Sequence, residues 1–380
     1  MQNCSCTDKR YHHLWHIELR ILLFGFCCNA TGKQDQDVNG NFGDETVRLF
    51  QTGRFVYKLI ISNIFSVAKK LKLIFNPAAR GGKSEQIAQE VKSYLDQEGV
   101  DYAFVKTQAP LDAIKLAATA KKEGFDTVCS IGGDGTAHEV ANGAIKSGVT
   151  FGIIPAGSGN DFSKGIGLRG NWEEAIETVL YGTETSISAT KINDRYSINI
   201  VDSGLGGVVA KKSLESLRWM KGSMKYTLLM IRALLSHKPY PCTVILDGDE
   251  FEFDINILAA GFGQSFGSGM LILPEARFTD DEMSIAVINN ASRLTILRVF
   301  PKVFSGSHIT YDKYVTMLRG KHLKIIPHQA EDRNMLSQAE GELVGTAPIT
   351  FEAVPKALKV MIPNEWDLDK ASLWNKDAHQ

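Results

Sequence analysis

Long apolar runs are missing from this 380-residue chain. Its two most apolar stretches, residues 14–28 and 55–68, are broken by Glu18 and Arg20 in the first and by Lys58 in the second. Both are shorter than the ~20 residues a bilayer-crossing helix needs. No basic region followed by a small-residue cleavage site accompanies them, so neither a membrane span nor a secretory signal is expected. Net charge is nearly absent as well. The chain carries 42 Lys and Arg against 43 Asp and Glu, a formal −1 at pH 7, which excludes a strongly basic nucleic-acid binder. Cysteine is scarce beyond Cys4, Cys6, Cys27 and Cys28, with only Cys129 and Cys242 following. No disulfide framework results, and a reducing cytoplasm is the expected location. Cys4 and Cys6 with His12, His13 and His16 do not have zinc-finger spacing.

What is present falls into four segments. Residues 1–68 mix an apolar patch with a polar run and sustain no period, so a poorly ordered leader is expected. No methionine occurs between Met1 and Met220. An upstream extension, with a non-methionine start near Val67, is therefore the competing reading, and mass spectrometry of the first native peptide distinguishes the two. Residues 69–185 alternate short apolar strands (71–75, 102–106, 127–131, 151–154) with helices, one of them from about 111 to 122. That is the signature of a parallel sheet covered on both faces. Ser84 is placed to cap the first helix. Residues 186–363 carry short alternating runs separated by Gly, Asn and Asp turns, which predicts a mostly antiparallel β domain. Residues 364–380 form a tail.

Chemistry concentrates in the loops after the first-domain strands. Gly132-Gly133-Asp134-Gly135-Thr136 links a buried strand to a helix, at the strand end where open α/β sheets bind ligands. Glycines admit phosphate oxygens close to the backbone, and the helix start offers unpaired N–H groups. Asp134 would repel phosphate without an intervening cation, so a magnesium-nucleotide is expected. A second loop, Pro155-Ala156-Gly157-Ser158-Gly159-Asn160-Asp161-Phe162, follows the next strand and lines the same crevice. Taken alone, its Asp161 reads as a cap or a structural carboxylate. The loop of residues 76–84 lacks P-loop spacing, but Arg80 and Lys83 can neutralise phosphate charge.

These loops, in this order, resemble the catalytic domain of the diacylglycerol kinase family, its bacterial soluble lipid kinases most closely and sphingosine and ceramide kinases more distantly. The resemblance spans residues 71–363 and includes Glu139-Val140-Ala141-Asn142-Gly143 and Lys238-Pro239-Tyr240-Pro241. It implies a nucleotide-binding domain followed by a β-sandwich, with the active site in the cleft between them. It implies ATP and Mg2+ as cofactors, and phosphorylation of a lipid hydroxyl, diacylglycerol-like or sphingoid-like, at a membrane surface. Carried over by position, the nucleotide contacts fall on Asn76, Pro77, Ala78, Ala79, Arg80, Thr107, Gly133, Asp134, Gly135, Thr136, Ala137, His138, Glu139 and Ser158. A structural magnesium held by some members corresponds here to Asp280 with carbonyls of Arg277 and Glu282, although Asp281 replaces the family's glycine. The family's Asp-Gly-Glu signature, which supplies the general base, reads Glu340-Gly341-Glu342 here, one methylene longer at Glu340. Asp134 and Glu342 complete the expected catalytic set. His138 replaces a usual asparagine, and Ser188 and Gly206 replace aspartates.

A segment rich in basic, apolar and aromatic residues, 211–235, suits contact with an anionic bilayer. Two other readings stay open. One is a kinase for a soluble acceptor such as NAD, since NAD kinases share the glycine–aspartate loop; the other is a non-catalytic lipid-binding homologue. Oligomeric state is not legible.

Overall fold

The computed structural model describes residues 69–77, 79–215, 233, 237–328, 334–369 and 373. The expected leader, Ala78 and most of the basic segment 211–235 lie outside the described residues.

Four strands, β1 (Leu71–Phe75), β2 (Tyr102–Lys106), β3 (Thr127–Gly132) and β4 (Thr150–Pro155), run parallel in the order β2-β1-β3-β4. Every residue of β1, β3 and β4 is buried, Lys72 included, which explains why these strands are mostly apolar on both faces and do not alternate. The intervening helices are α1 (Lys83–Glu98), α2 (Asp112–Ala118) and α3 (Asp134–Ser147), followed by α4 (Asp161–Gly165) and α5 (Trp172–Tyr181). Ile87, Ala88, Val91 and Leu95 form the buried stripe of α1. Its cap differs from expectation. Gly82 occupies the N-cap at φ 97°, while the Ser84 hydroxyl donates to the carbonyls of Asn76 (2.6 Å) and Ala79 (3.2 Å). Ser84 therefore braces the loop before the helix and not the helix end. The α2 helix is shorter than the pattern predicts, because it ends at Ala118.

The second half is antiparallel except at one joint. Its strands are β5 (Thr183–Ile192), β6 (Arg195–Ser197), β7 (Ile200–Gly204), β8 (Tyr240–Leu246), β9 (Asp249–Gly261), β10 (Met283–Asn289), β11 (Val315–Gly320), β12 (His322–Pro327), β13 (Leu336–Ala339), β14 (Glu342–Thr346) and β15 (Ile349–Ile362). Among the described residues two α-helices interrupt them, α6 (Leu205–Glu215) and α7 (Arg293–Val303). The fourteen-residue β15 pairs antiparallel with β5 and β12, then meets β4 in parallel at Val360–Phe151. The last strand thereby completes the first sheet. Across the same seam Phe162 packs between Phe151 and Phe278, with ring centroids 6.2 and 5.4 Å away. Burying each such ring contributes about 2–3 kcal/mol. Gly165 leaves room for Phe278, since a Cβ there would lie 2.8 Å from the ring.

Candidate active site

The loops expected to hold nucleotide follow the carboxyl ends of β2, β1, β3 and β4, which are neighbours in the sheet. Thr107 closes the β2 end by donating its N–H to the Phe75 carbonyl at 3.0 Å, beside Asn76 and Pro77. Gly133 is the N-cap of α3, so its N–H and those of Asp134, Gly135 and Thr136 have no carbonyl partner inside the helix, whereas Ala137 donates to the Gly133 carbonyl at 3.0 Å. Ser158 is exposed on the loop after β4.

The two glycine loops touch backbone to backbone. A Cβ on Gly157 would lie 2.5 Å from Gly133 Cα, and one on Gly159 would lie 2.8 Å from Asp134 Oδ2. Asn160, left-handed at φ 54°, donates its N–H to that same Oδ2 at 2.8 Å. Asp134 Oδ1 is buried and has no partner among the described residues. Burial, and then the nearby Asp161 charge, push the Asp134 carboxyl up to about 6, against the opposing hydrogen bonds from the backbone of Asn160 and Phe162. A buried carboxylate oxygen with no donor, in an acidic setting, fits a divalent cation carried in with a nucleotide.

Asp161 proves to be a structural carboxylate with a reach beyond its own loop. It accepts from the Ser268 N–H at 2.7 Å, pinning the segment between β9 and β10 against the nucleotide half. Asn142 makes a second splint, exchanging two 2.8 Å hydrogen bonds with the Tyr196 backbone. Gly143 keeps α3 close to α2, because a Cβ there would lie 2.4 Å from that of Ala117. One expected contact is corrected. Glu139 does not turn to the phosphate loops: its two carboxylate oxygens accept from the N–H groups of Leu111 (3.1 Å) and Ala113 (3.2 Å), capping α2.

The acidic signature is a two-residue hairpin between β13 and β14, with Glu340 at φ 48° and Gly341 at φ 88°. Both central residues are left-handed, the requirement of a type I′ turn. Aspartate tolerates this region better than glutamate, so Glu340 bears a local cost of about 1 kcal/mol. Its carboxylate is tightly held. Oε1 accepts from Ser197 Oγ (2.6 Å) and the Asn199 N–H (2.9 Å), and Oε2 lies 2.7 Å from His138 Nδ1. The Glu340 side chain is 2% exposed and that of His138 0%. Burial lowers the His138 pKa, but the charge and hydrogen bond of Glu340 outweigh it and the net shift is upward. The two departures from the family pattern, histidine at 138 and glutamate at 340, are thus partners: the longer acid reaches the imidazole.

Glu342 is more open. Its side chain is 30% exposed and lies 3.5 Å from Arg195, and its Oε1 falls 3.5 Å from where a Gly135 Cβ would sit. Burial, opposed by His138, raises its pKa. The acidic turn is braced from behind by residues that sequence reading missed. The Gln338 amide donates to Asp202 and its Oε1 accepts from the Gly341 N–H at 2.6 Å. Asp202 also explains Gly206, since a Cβ there would fall 2.0 Å from Asp202 Oδ1. An acid does occupy this place, supplied from β7.

The second-domain metal expectation is not met by its surroundings. The Asp280 carboxylate is bound by Arg319 at 2.7 Å, and the Arg319 Nε lies 3.8 Å from Glu282. The Arg277 guanidinium reaches the carbonyl of Asp369, while the Arg277 carbonyl accepts from the Asp280 N–H at 3.2 Å. A guanidinium on Asp280 and a second cation in the same place are mutually repulsive. Ser188 belongs to this region too, donating to the Asp280 carbonyl at 2.7 Å.

Comparison with known proteins finds two family models in tandem. The diacylglycerol kinase catalytic domain matches residues 70–192, and the YegS C-terminal NAD kinase beta sandwich-like domain matches residues 199–362. A diacylglycerol kinase of Mycobacterium tuberculosis (strain ATCC 25618 / H37Rv) is 30% identical over 301 residues, covering 77% of this chain and 95% of that protein. One from Bacillus subtilis (strain 168) is 26% identical over 300 residues, covering 78% and 97%. The crystal structure of a diacylglycerol kinase from Bacillus anthracis str. Sterne superposes with a TM-score of 0.63 at 21% identity, covering 78% of this chain and 98% of that one. The last likeness establishes the shared fold. Among the described residues no helix is long and apolar enough to cross a membrane.

Proposed function

Because the chain belongs to the diacylglycerol kinase family, we propose that it transfers the terminal phosphoryl group of ATP to a hydroxyl of a diacylglycerol-like or sphingoid-like lipid. The observation that carries this reading is the juxtaposition of the α3 N–H groups with Asp134, Glu340 and Glu342, acids contributed by both halves of the molecule. Phosphoryl transfer asks little covalent chemistry of a protein. It asks for in-line positioning and for stabilisation of charge on the moving group.

In this reading the backbone N–H groups of Gly133 to Thr136 cradle the phosphates, with Asn76, Pro77, Thr107 and Ser158 around the rest of the nucleotide. Asp134 would hold a magnesium ion brought in with the nucleotide, which would supply neutralisation of the phosphate charge. Glu342 accepts the proton of the lipid hydroxyl as its oxygen bonds to the γ-phosphorus and the bond from that phosphorus to the β–γ bridging oxygen breaks, leaving ADP. A raised pKa and an open side chain suit Glu342 to this role. Glu340, shielded and held by three partners, acts with His138 as the positioning element beneath it.

The description of the second family model supports NAD as the alternative acceptor. The test is full-length protein with γ-labelled ATP, magnesium and mixed micelles of diacylglycerols, monoacylglycerols or sphingoid bases. Label is expected in the organic extract. Label on NAD alone, or on no acceptor, overturns the reading.

A further inference from the structure

Large apolar side chains at least a third exposed are few among the described residues: Leu111, Tyr181, Leu294, Leu297, Phe304 and Leu373. Three of the six lie on α7 or on the residue that caps it, which makes this a patch and not a scatter. Leu294 is the extreme case at 79% exposure. The helix is not loosely attached. Ser292 caps it by accepting from the Thr295 N–H, and Ile296, Val299 and Val303 form a buried inner stripe. Among the described residues, Leu294 and Leu297 on its outer face join no buried cluster, and Phe304 meets the edge of Phe300 with ring centroids 5.7 Å apart.

Charge sharpens the point. Arg293, Arg298 and Lys302 are exposed on the same element, and no acidic residue occurs from Met283 to Tyr311. Among the described residues none of the three enters a salt bridge, a local excess of positive charge in a chain whose net charge is −1. Arg293 also anchors the start of the helix, its Nε donating to the His237 carbonyl at 3.2 Å. Exposed leucines and a phenylalanine set among unopposed cations match the two components of a bilayer surface, acyl boundary and anionic headgroup. A folded acidic protein would satisfy the cations but leave a protruding Leu294 without a matching pocket.

We propose that the outer face of α7 docks the protein on an anionic lipid bilayer. Directly beneath the helix lies an apolar cavity of about 40 Å³, lined by Ile296, Val299, Phe300 and Val303 from α7 and by Phe266 and Met270. Phe266 and Met270 belong to the same segment that Asp161 pins through Ser268. The docking face and the phosphate cleft are therefore linked by one stretch of chain. Docking here deepens the kinase reading by naming the face turned to the membrane, and vesicle binding tests it without turnover.

The experiment is sedimentation of full-length protein with phosphatidylcholine vesicles, with and without phosphatidylglycerol, at low and high salt. Wild type is expected to sediment only with the anionic vesicles, and less at high salt. At about fivefold in affinity per surface cation, Arg298→Glu with Lys302→Glu should weaken binding roughly 25-fold or more. Leu294→Ser with Leu297→Ser should also weaken it, and both pairs should phosphorylate a detergent-dispersed acceptor as wild type does. Leu294→Trp supplies a second readout: its emission should shift to the blue on anionic vesicles. Undiminished binding by both double variants, or sedimentation without a shift from Leu294→Trp, overturns the proposal. So does self-association in the absence of vesicles that Leu294→Ser abolishes, because a second copy would then be the occupant. Loss of binding together with loss of turnover on the dispersed acceptor counts against it as well. Failure of wild type to phosphorylate any lipid, with salt-sensitive docking intact, would fall on the kinase reading alone.

Discussion

Replacing Gly157 by alanine isolates the contact between the two glycine loops. Gly157 lies outside the left-handed region, so the substitution changes occupied space and not backbone preference. Its new Cβ would sit 2.5 Å from Gly133 Cα and 2.6 Å from Asn160 Oδ1. Ordinary carbon–carbon contact begins near ~3.5 Å, so the loops must part by about 1 Å. The atom in the way is backbone, which cannot rotate aside as a side chain would. A misplacement of this size costs about a hundredfold when the displaced groups position a reacting phosphate. The strain itself should destabilise the fold by about 1–3 kcal/mol. The assay is kcat/KM for ATP-dependent phosphorylation with a parallel thermal melt. A fall of roughly two orders of magnitude in a protein that still melts cooperatively is the expected result. Wild-type kcat/KM would show that the Gly133–Gly157 contact does not position the nucleotide.

Three more expectations separate roles within the cleft and behind it. Glu342→Gln should lower kcat about a hundredfold or more with little change in Tm, whereas Glu340→Gln should lower Tm clearly, since removing one partner of a buried pair costs about 3–5 kcal/mol; the reverse pattern would return the proton-accepting role to Glu340. Asp202 is pushed up to about 7 by burial, against hydrogen bonds from Gln338 and Gly207. A raised folded-state value means stability is full below the ordinary carboxylate range, near pH 4, and falls as pH rises through about 7, by roughly 4 kcal/mol in all. Asp202→Asn should therefore raise Tm near pH 8 and flatten its decline from about pH 5, as thermal melts across that range would reveal; a lower Tm near pH 8 contradicts the assignment. Because Arg319 occupies Asp280, chelating magnesium should leave the wild-type Tm unchanged, while Arg319→Ala should gain a magnesium-dependent rise; a large loss of Tm on chelating wild type would sink this.

Local chemistry was legible in the sequence, and distant pairing was not. Strand–glycine–helix junctions announce themselves within a few residues, so β1 to β4 and the phosphate loops fall within a residue or two of their predicted bounds. The antiparallel half was recognisable as a class but not strand by strand. The β13 strand has only four residues, Leu-Ser-Gln-Ala, and β5 is rich in Ser and Thr, so neither carries an apolar alternation. The α7 helix was missed because Pro301 and an apolar outer face blur its period. At the site the loops that meet were legible and the pairing of their side chains was hidden. Nothing near Glu340 in the chain announces His138, nor does Glu139 reveal that it caps another helix. A Glu-Gly pair between short strands was the one local signal that a tight hairpin presents the acids.

The order in which this chain is made has a consequence for when it can work. The nucleotide-binding strands leave the ribosome early, yet β4 finds its outer neighbour only in β15, at Val360. Until that final segment is synthesised, one edge of the parallel sheet has no partner, and such edges invite association with other chains. Enzymatic competence therefore arrives late in translation. Ribosomes stalled before residue 349 should hold a protease-sensitive nascent chain even though every phosphate loop has already emerged.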